Sequence, residues 1–167
     1  MIYPFLTATL PELAPGQAPE MTLEEFDALA AEHLSSSAAG KLDGKLPFHR
    51  EVAKFSEYVA YRSAIIRAAK LNRSGNFPVP AEFYGEVDFA CAALATAAPA
   101  DRELLLDALI WHKLDDLELG HDMDLTHLAI YRMRLGLLQK YARRDEKTAL
   151  QNFEAALEKL SADFNEP

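Results

Sequence analysis

Phe48, Val52, Phe55, Val59 and Ile66 recur at steps of three, four and seven residues between Pro47 and Gly75, the spacing that aligns one face of an α-helix. The same period returns at Leu106, Ile110, Leu114 and Leu117. Glycine and proline separate such runs, which divides the chain into about six helices. The first follows Thr22, whose hydroxyl and the Glu25 carboxylate are spaced for a capping box. Met21 and Phe26 stand at the positions of a hydrophobic staple. This helix extends to about Ser36 and is broken by Gly40 and Gly44. The second runs from Pro47 to Gly75 and the third over 80–98, ending before Pro99. The fourth spans 102–119, with Asp101 as its cap and Gly120 as its stop in the left-handed conformation. A fifth starts at Asp122 or Asp124 and reaches about Arg144; a sixth covers 146–164. Ahead of them, residues 1–10 read as a short extended segment interrupted by Pro4, with turn-like residues behind it.

The expectation is therefore an all-α, compact bundle of about six helices with a short extended N-terminal segment. Residues 1–167 form a single helical domain, with a weak division near 75–80. Half of the residues are hydrophobic, enough for a substantial core.

Charge narrows the partners. The net charge of −9, from 26 acidic and 17 basic residues, disfavours nucleic acid, whose binders present a net basic footprint. It equally disfavours an electrostatic membrane anchor. No apolar run reaches the roughly 18–20 residues that span a bilayer, so direct membrane insertion is not expected. The single cysteine, Cys91, lies in an apolar helical run and reads as a buried structural thiol in a reducing cytoplasm.

Chemistry concentrates in residues 109–131, where His112, His121 and His127 sit among Asp115, Asp116, Glu118, Asp122 and Asp124. On a helical wheel, Leu106, Ile110, Leu114 and Leu117 form the buried stripe of the fourth helix. Asp107, Trp111, Asp115 and Glu118 form another stripe away from it. Glu118-x-x-His121 and Asp124-x-x-His127 have the spacing of di-iron bundle ligands, with Glu51 and Glu57 available on the second helix. Gly120 falls between Glu118 and His121, however, which divides the first pair between two helices. The alternative reading, a carboxylate/His metal-binding helical-bundle enzyme, is therefore the weaker one. A helix cap at Asp122 or Asp124, His121 on the carbonyls ending helix four and His127 as a surface or packing residue explain more of the stretch. Trp111 either packs under a neighbouring helix or forms an aromatic anchor with an acidic rim. The candidate partner-binding residues are Asp107, Trp111, Asp115, Glu118, His121 and Asp122. Arg132, Lys140 and Arg143 share one sector and are expected to pair with acidic neighbours. No phosphate loop, nucleophile elbow, zinc-protease motif or paired cysteines occur, so no catalytic residue, cofactor or metal ligand is assigned.

Two blocks resemble an uncharacterised bacterial family associated with V/A-type ATPase operons. The first is carried by Tyr3, Leu6, Leu10, Pro11, Leu13, Pro19, Glu25 and Phe26. The second is carried by Trp111, Leu114, Asp115, Leu117, Glu118, Gly120, His121, Asp122 and Tyr131. Members of that family look like reduced relatives of the C (d-type) subunit, the helical collar between central stalk and membrane rotor ring. The resemblance implies a non-catalytic subunit or assembly factor of a rotary, proton- or sodium-translocating ATPase. Its partners would be other V/A-type ATPase subunits, in the central stalk or rotor ring. Its place would be cytoplasmic, peripheral at the inner membrane through those subunits. On this reading Trp111→Ala or Glu118→Lys severs the association without unfolding the chain.

Overall fold

Both halves of the capping box form: the Glu25 N–H donates to Thr22 Oγ1 at 3.2 Å, and the Thr22 N–H donates to Glu25 Oε2 at 2.8 Å. They start α2 (Leu23–His33) in the computed structural model, which describes residues 2–144 and 146–165. Every element assigned to these residues is helical. The long helices are α4 (Pro47–Lys70), α6 (Pro99–Glu118), α7 (Leu125–Ala142) and α8 (Glu146–Asn165), with the shorter α5 (Asp88–Thr96) between α4 and α6. Two further helices are very short. Ser35 caps a single turn, α3 (Ser36–Ala39), within the expected loop. Pro4–Thr9 forms α1, so the opening of the chain is not extended throughout. Proline at the first helical position fixes a helical φ and lacks an N–H that would have no partner there. The backbone pairing that remains is one antiparallel bridge between Ile2 and Asp124.

Boundaries shift for similar reasons. The third predicted helix shortens to α5, because residues 80–84 are irregular and a 3-10 turn over Gly85–Val87 precedes it. Pro99 rather than Asp101 opens α6; Asp101 sits in its first turn, where its charge favours the helix dipole. The loop at 75–80 is flanked by α4 and α5, which pack directly on each other. Arg62 clamps Asp88 across that joint at 2.7 and 3.0 Å, and the Tyr58 hydroxyl donates to the same carboxylate at 2.7 Å. The Arg62 bonds hold the Asp88 carboxyl below its ordinary range, against the opposing effect of burial.

Two apolar clusters lie end to end. One gathers Phe55, Tyr58 and Val59 of α4 with Cys91 and Leu94 of α5, Leu109 and Trp111 of α6, and Phe153 of α8. The other joins Leu6, Phe26, Phe48 and Val52 to Leu114, Leu128, Ile130 and Leu135. Because α4, α6 and α7 contribute to both clusters, they tie the two ends together. Cys91 is fully buried as expected, and burial pushes its thiol pKa up.

The face of α6 differs from the wheel. Asp107, Ala108, Leu109, Trp111 and Leu114 are its buried residues, while Leu106, Ile110 and Leu117 are half-buried. The wheel supposed one apolar partner; α6 instead packs against α4, α5, α7 and α8. That central position draws its polar-looking stripe inside. Among the described residues no helix is long and apolar enough to cross a membrane.

Candidate docking site at the α6–α7 corner

The corner is built from a stop, a turn and a cap. Past the end of α6, Gly120 takes φ +83°, the left-handed geometry that a side chain disfavours. A Cβ there would meet only open space, so the requirement is conformational rather than steric. Gly120→Ala is expected to cost about 1 kcal/mol, and Gly120→Asn less, in thermal or urea unfolding. Asp124, not Asp122, caps α7 by accepting the His127 N–H at 3.0 Å. Its other oxygen lies 2.7 Å from His121 Nδ1, so the His121 ring turns to this cap and not to the carbonyls of α6. Burial alone would raise the Asp124 pKa, but these bonds outweigh it and bring it below the usual value.

Between the helices, one guanidinium organises the charges. Arg134 of α7 donates to Asp115 at 2.5 Å and to Glu118 at 2.6 Å. Glu118 also holds His127 Nδ1 at 2.8 Å. The guanidinium carbon stands 5.5 Å from the centre of the Trp111 ring, a cation–π arrangement, with the Arg134 side chain only 14% exposed. Asp115 has its pKa raised by burial, partly countered by Arg134. Trp111 itself is 7% exposed and meets Phe153 of α8 edge-on, with ring centres 5.7 Å apart. It packs under a neighbouring helix.

Deeper along α6, Asp107 is buried. It accepts the Tyr141 hydroxyl at 2.6 Å and pairs with Lys140, which also reaches Glu103 at 2.9 Å. The expected pairing of basic and acidic neighbours is seen again at Arg132, which binds Asp27 at 2.7 Å and Asp43 at 3.3 Å.

The structure thus brings Trp111, Asp115 and Glu118 together through Arg134. Asp107 belongs to a separate buried pair, while His121 and exposed Asp122 sit on the turn. Neither the place of Arg134 at the centre of the site nor the contact of His127 with Glu118 is expected from the sequence. A hairpin with its turn over residues 119–124 would have signalled both, since it lays the last turns of α6 alongside the first turns of α7. Over this network runs a strap, residues 10–17. Tyr131 donates its hydroxyl to the Pro11 carbonyl at 2.9 Å, and the Tyr3 N–H donates to the Met123 carbonyl at 2.6 Å. Strap and helices enclose a cleft of about 480 Å³, lined by Leu10, Leu13, Trp111, Glu118 and Arg134 among others.

Family models, curated proteins and solved structures give no match to this chain. Its site is therefore read from its own geometry. Glu118 is bonded to Arg134 and His127, while His121 is bonded to Asp124, so the two candidate chelating pairs face different partners. Among the described residues no group of three His, Cys, Asp or Glu side chains is placed to hold a metal ion.

Proposed function

We propose that this chain is a non-catalytic helical subunit or assembly factor of a V/A-type rotary ATPase, a coupling or docking piece between central stalk and membrane rotor. The reading rests on the resemblance of its two sequence blocks, and one observation supports it. The blocks, separated in sequence by residues 27–110, fold onto each other: Leu6 shares a core cluster with Leu114, Leu128 and Tyr131, and Leu10 and Leu13 pack against that cluster. The resembling residues thereby make one structural unit instead of two scattered similarities. Around it Ile2, Leu119 and Met123 present large apolar side chains to solvent, with Leu119 80% exposed. Exposed apolar residues beside a rigid, ion-paired corner suit a protein contact.

The test is recovery of the tagged protein from its native cell, with bound proteins identified by mass spectrometry. Rotary ATPase subunits are expected in the wild-type recovery. Leu119→Asp combined with Asp122→Lys, both at exposed positions, is expected to deplete them while the melting temperature stays within a few degrees. A folded wild-type chain that recovers no rotary ATPase component ends the reading.

A further inference from the structure

Trp111 lies between two clefts, not one. The cleft of about 480 Å³ under the strap shares Pro15, Trp111 and Asp115 with a second cleft of about 470 Å³ that opens against α8. Leu13 on the strap side and Leu157 on the α8 side are partly buried and supply apolar walls. The rims are acidic. Glu12 borders the first cleft, and Glu154 and Glu158 border the second. All three are exposed and pair with no basic side chain among the described residues, whereas Asp115 and Glu118 share the Arg134 guanidinium. Glu154 reaches the junction: its carboxylate lies against the bare Cα of Gly16, where a Cβ would meet it. An apolar floor between unneutralised carboxylates is complementary to a segment with apolar residues flanked by cations.

We propose that the paired clefts beside Trp111 seat a basic, leucine-bearing segment of a partner protein, its apolar side chains on Leu13, Trp111 and Leu157 and its lysines or arginines against Glu12, Glu154 and Glu158. This names the chemistry of the partner at the corner and, as to what that partner is, rests on the docking reading above. Trp111 is the sole tryptophan of the chain, so its emission reports on the site directly.

The probe is a synthetic amphipathic peptide of leucine and lysine, titrated into the full chain while Trp111 emission is followed. A peptide with glutamate in place of each lysine serves as control. The expected result is a saturable emission change with the lysine peptide only, weakened by added salt. In the E12Q/E154Q/E158Q variant, with an unchanged melting temperature, the affinity is expected to fall by about tenfold or more. An unchanged emission, or equal affinity for wild type and variant, overturns the proposal. So does a concentration-dependent dimer of the chain alone that the same variant abolishes, since the occupant would then be a second copy. The same variant in the native-cell recovery separates the two ideas. If ATPase subunits still bind it as they bind wild type, this inference fails and the ATPase reading stands. If the lysine peptide binds but no ATPase subunit is ever recovered, the ATPase reading fails and the basic-segment site stands.

Discussion

Trp111→Ala is expected to destabilise the chain by about 3–5 kcal/mol, the cost of emptying a large aromatic site in a packed core. The indole is almost completely buried, lies edge-on to Phe153 and carries the Arg134 guanidinium above its ring. Truncation removes the contact between α6 and α8 and leaves Arg134 without its aromatic neighbour. At this chain length, such a loss lowers the melting temperature by about 6–20 °C. Trp111→Phe, which keeps an aromatic ring, is expected to lose less than half as much. Urea denaturation of the three proteins measures the difference, and an alanine variant as stable as wild type would show that the ring is not structural. The burial of the ring opposes the expectation that this substitution spares the fold. Glu118→Lys suffers from the same fault, because it sets a cation beside Arg134 and removes the carboxylate that holds both Arg134 and His127. Exposed positions such as Leu119 and Asp122 separate binding from folding; these two do not.

The second large effect is expected at Asp107. This carboxylate is buried and accepts both from Tyr141 and from Lys140, joining α6 to the end of α7. Asp107→Ala leaves a buried hydroxyl without its acceptor and takes one of two counter-ions from a partly buried ammonium. The cost is about 2–3 kcal/mol, below the full figure for a sequestered ion pair because Lys140 is a third exposed and retains Glu103. Burial and the Asp107 bond together drive the Tyr141 pKa well above its ordinary value, so the hydroxyl stays a donor at any ordinary pH. Asp107→Asn keeps an acceptor for Tyr141 and is expected to recover part of the loss. A double-mutant cycle with Tyr141→Phe isolates the pair: additive losses would show that the two side chains do not act together.

Much of this fold is legible in the sequence. The period in Phe48, Val52, Phe55 and Val59 marks the core face of α4, Thr22 and Glu25 mark the start of α2, and Gly120 marks the corner. In each case a local rule suffices, since the residues concerned act on their own helix. What escapes is set by the number of neighbours. A wheel assigns one buried face, and α6 has four packed helices around it, so the stripe of Asp107 and Trp111 falls off the wheel's buried face although both lie within. For Trp111, packing under a neighbouring helix is one of the two expected placements, and Asp107 is the residue that departs. The ion-paired centre of the candidate site was hidden for a related reason. Arg134 looks like one more basic residue on α7 until the hairpin brings Asp115 and Glu118 to it. Six residues are also too few to reveal a period, so α1, with Leu6 as its buried residue, reads as extended chain.

The strap has a consequence during synthesis. Leu6, Leu10 and Leu13 leave the ribosome early, yet Met123, Asp124 and Tyr131, which receive this segment, follow more than a hundred residues later. At ordinary translation rates the gap lasts on the order of ten seconds. Throughout it, the faces of those leucines that α7 covers stay open on the nascent chain, with only the α2 and α4 side of their cluster already made. The corner closes only after α7 has emerged, so a segment made more than a hundred residues earlier is among the last to find its place.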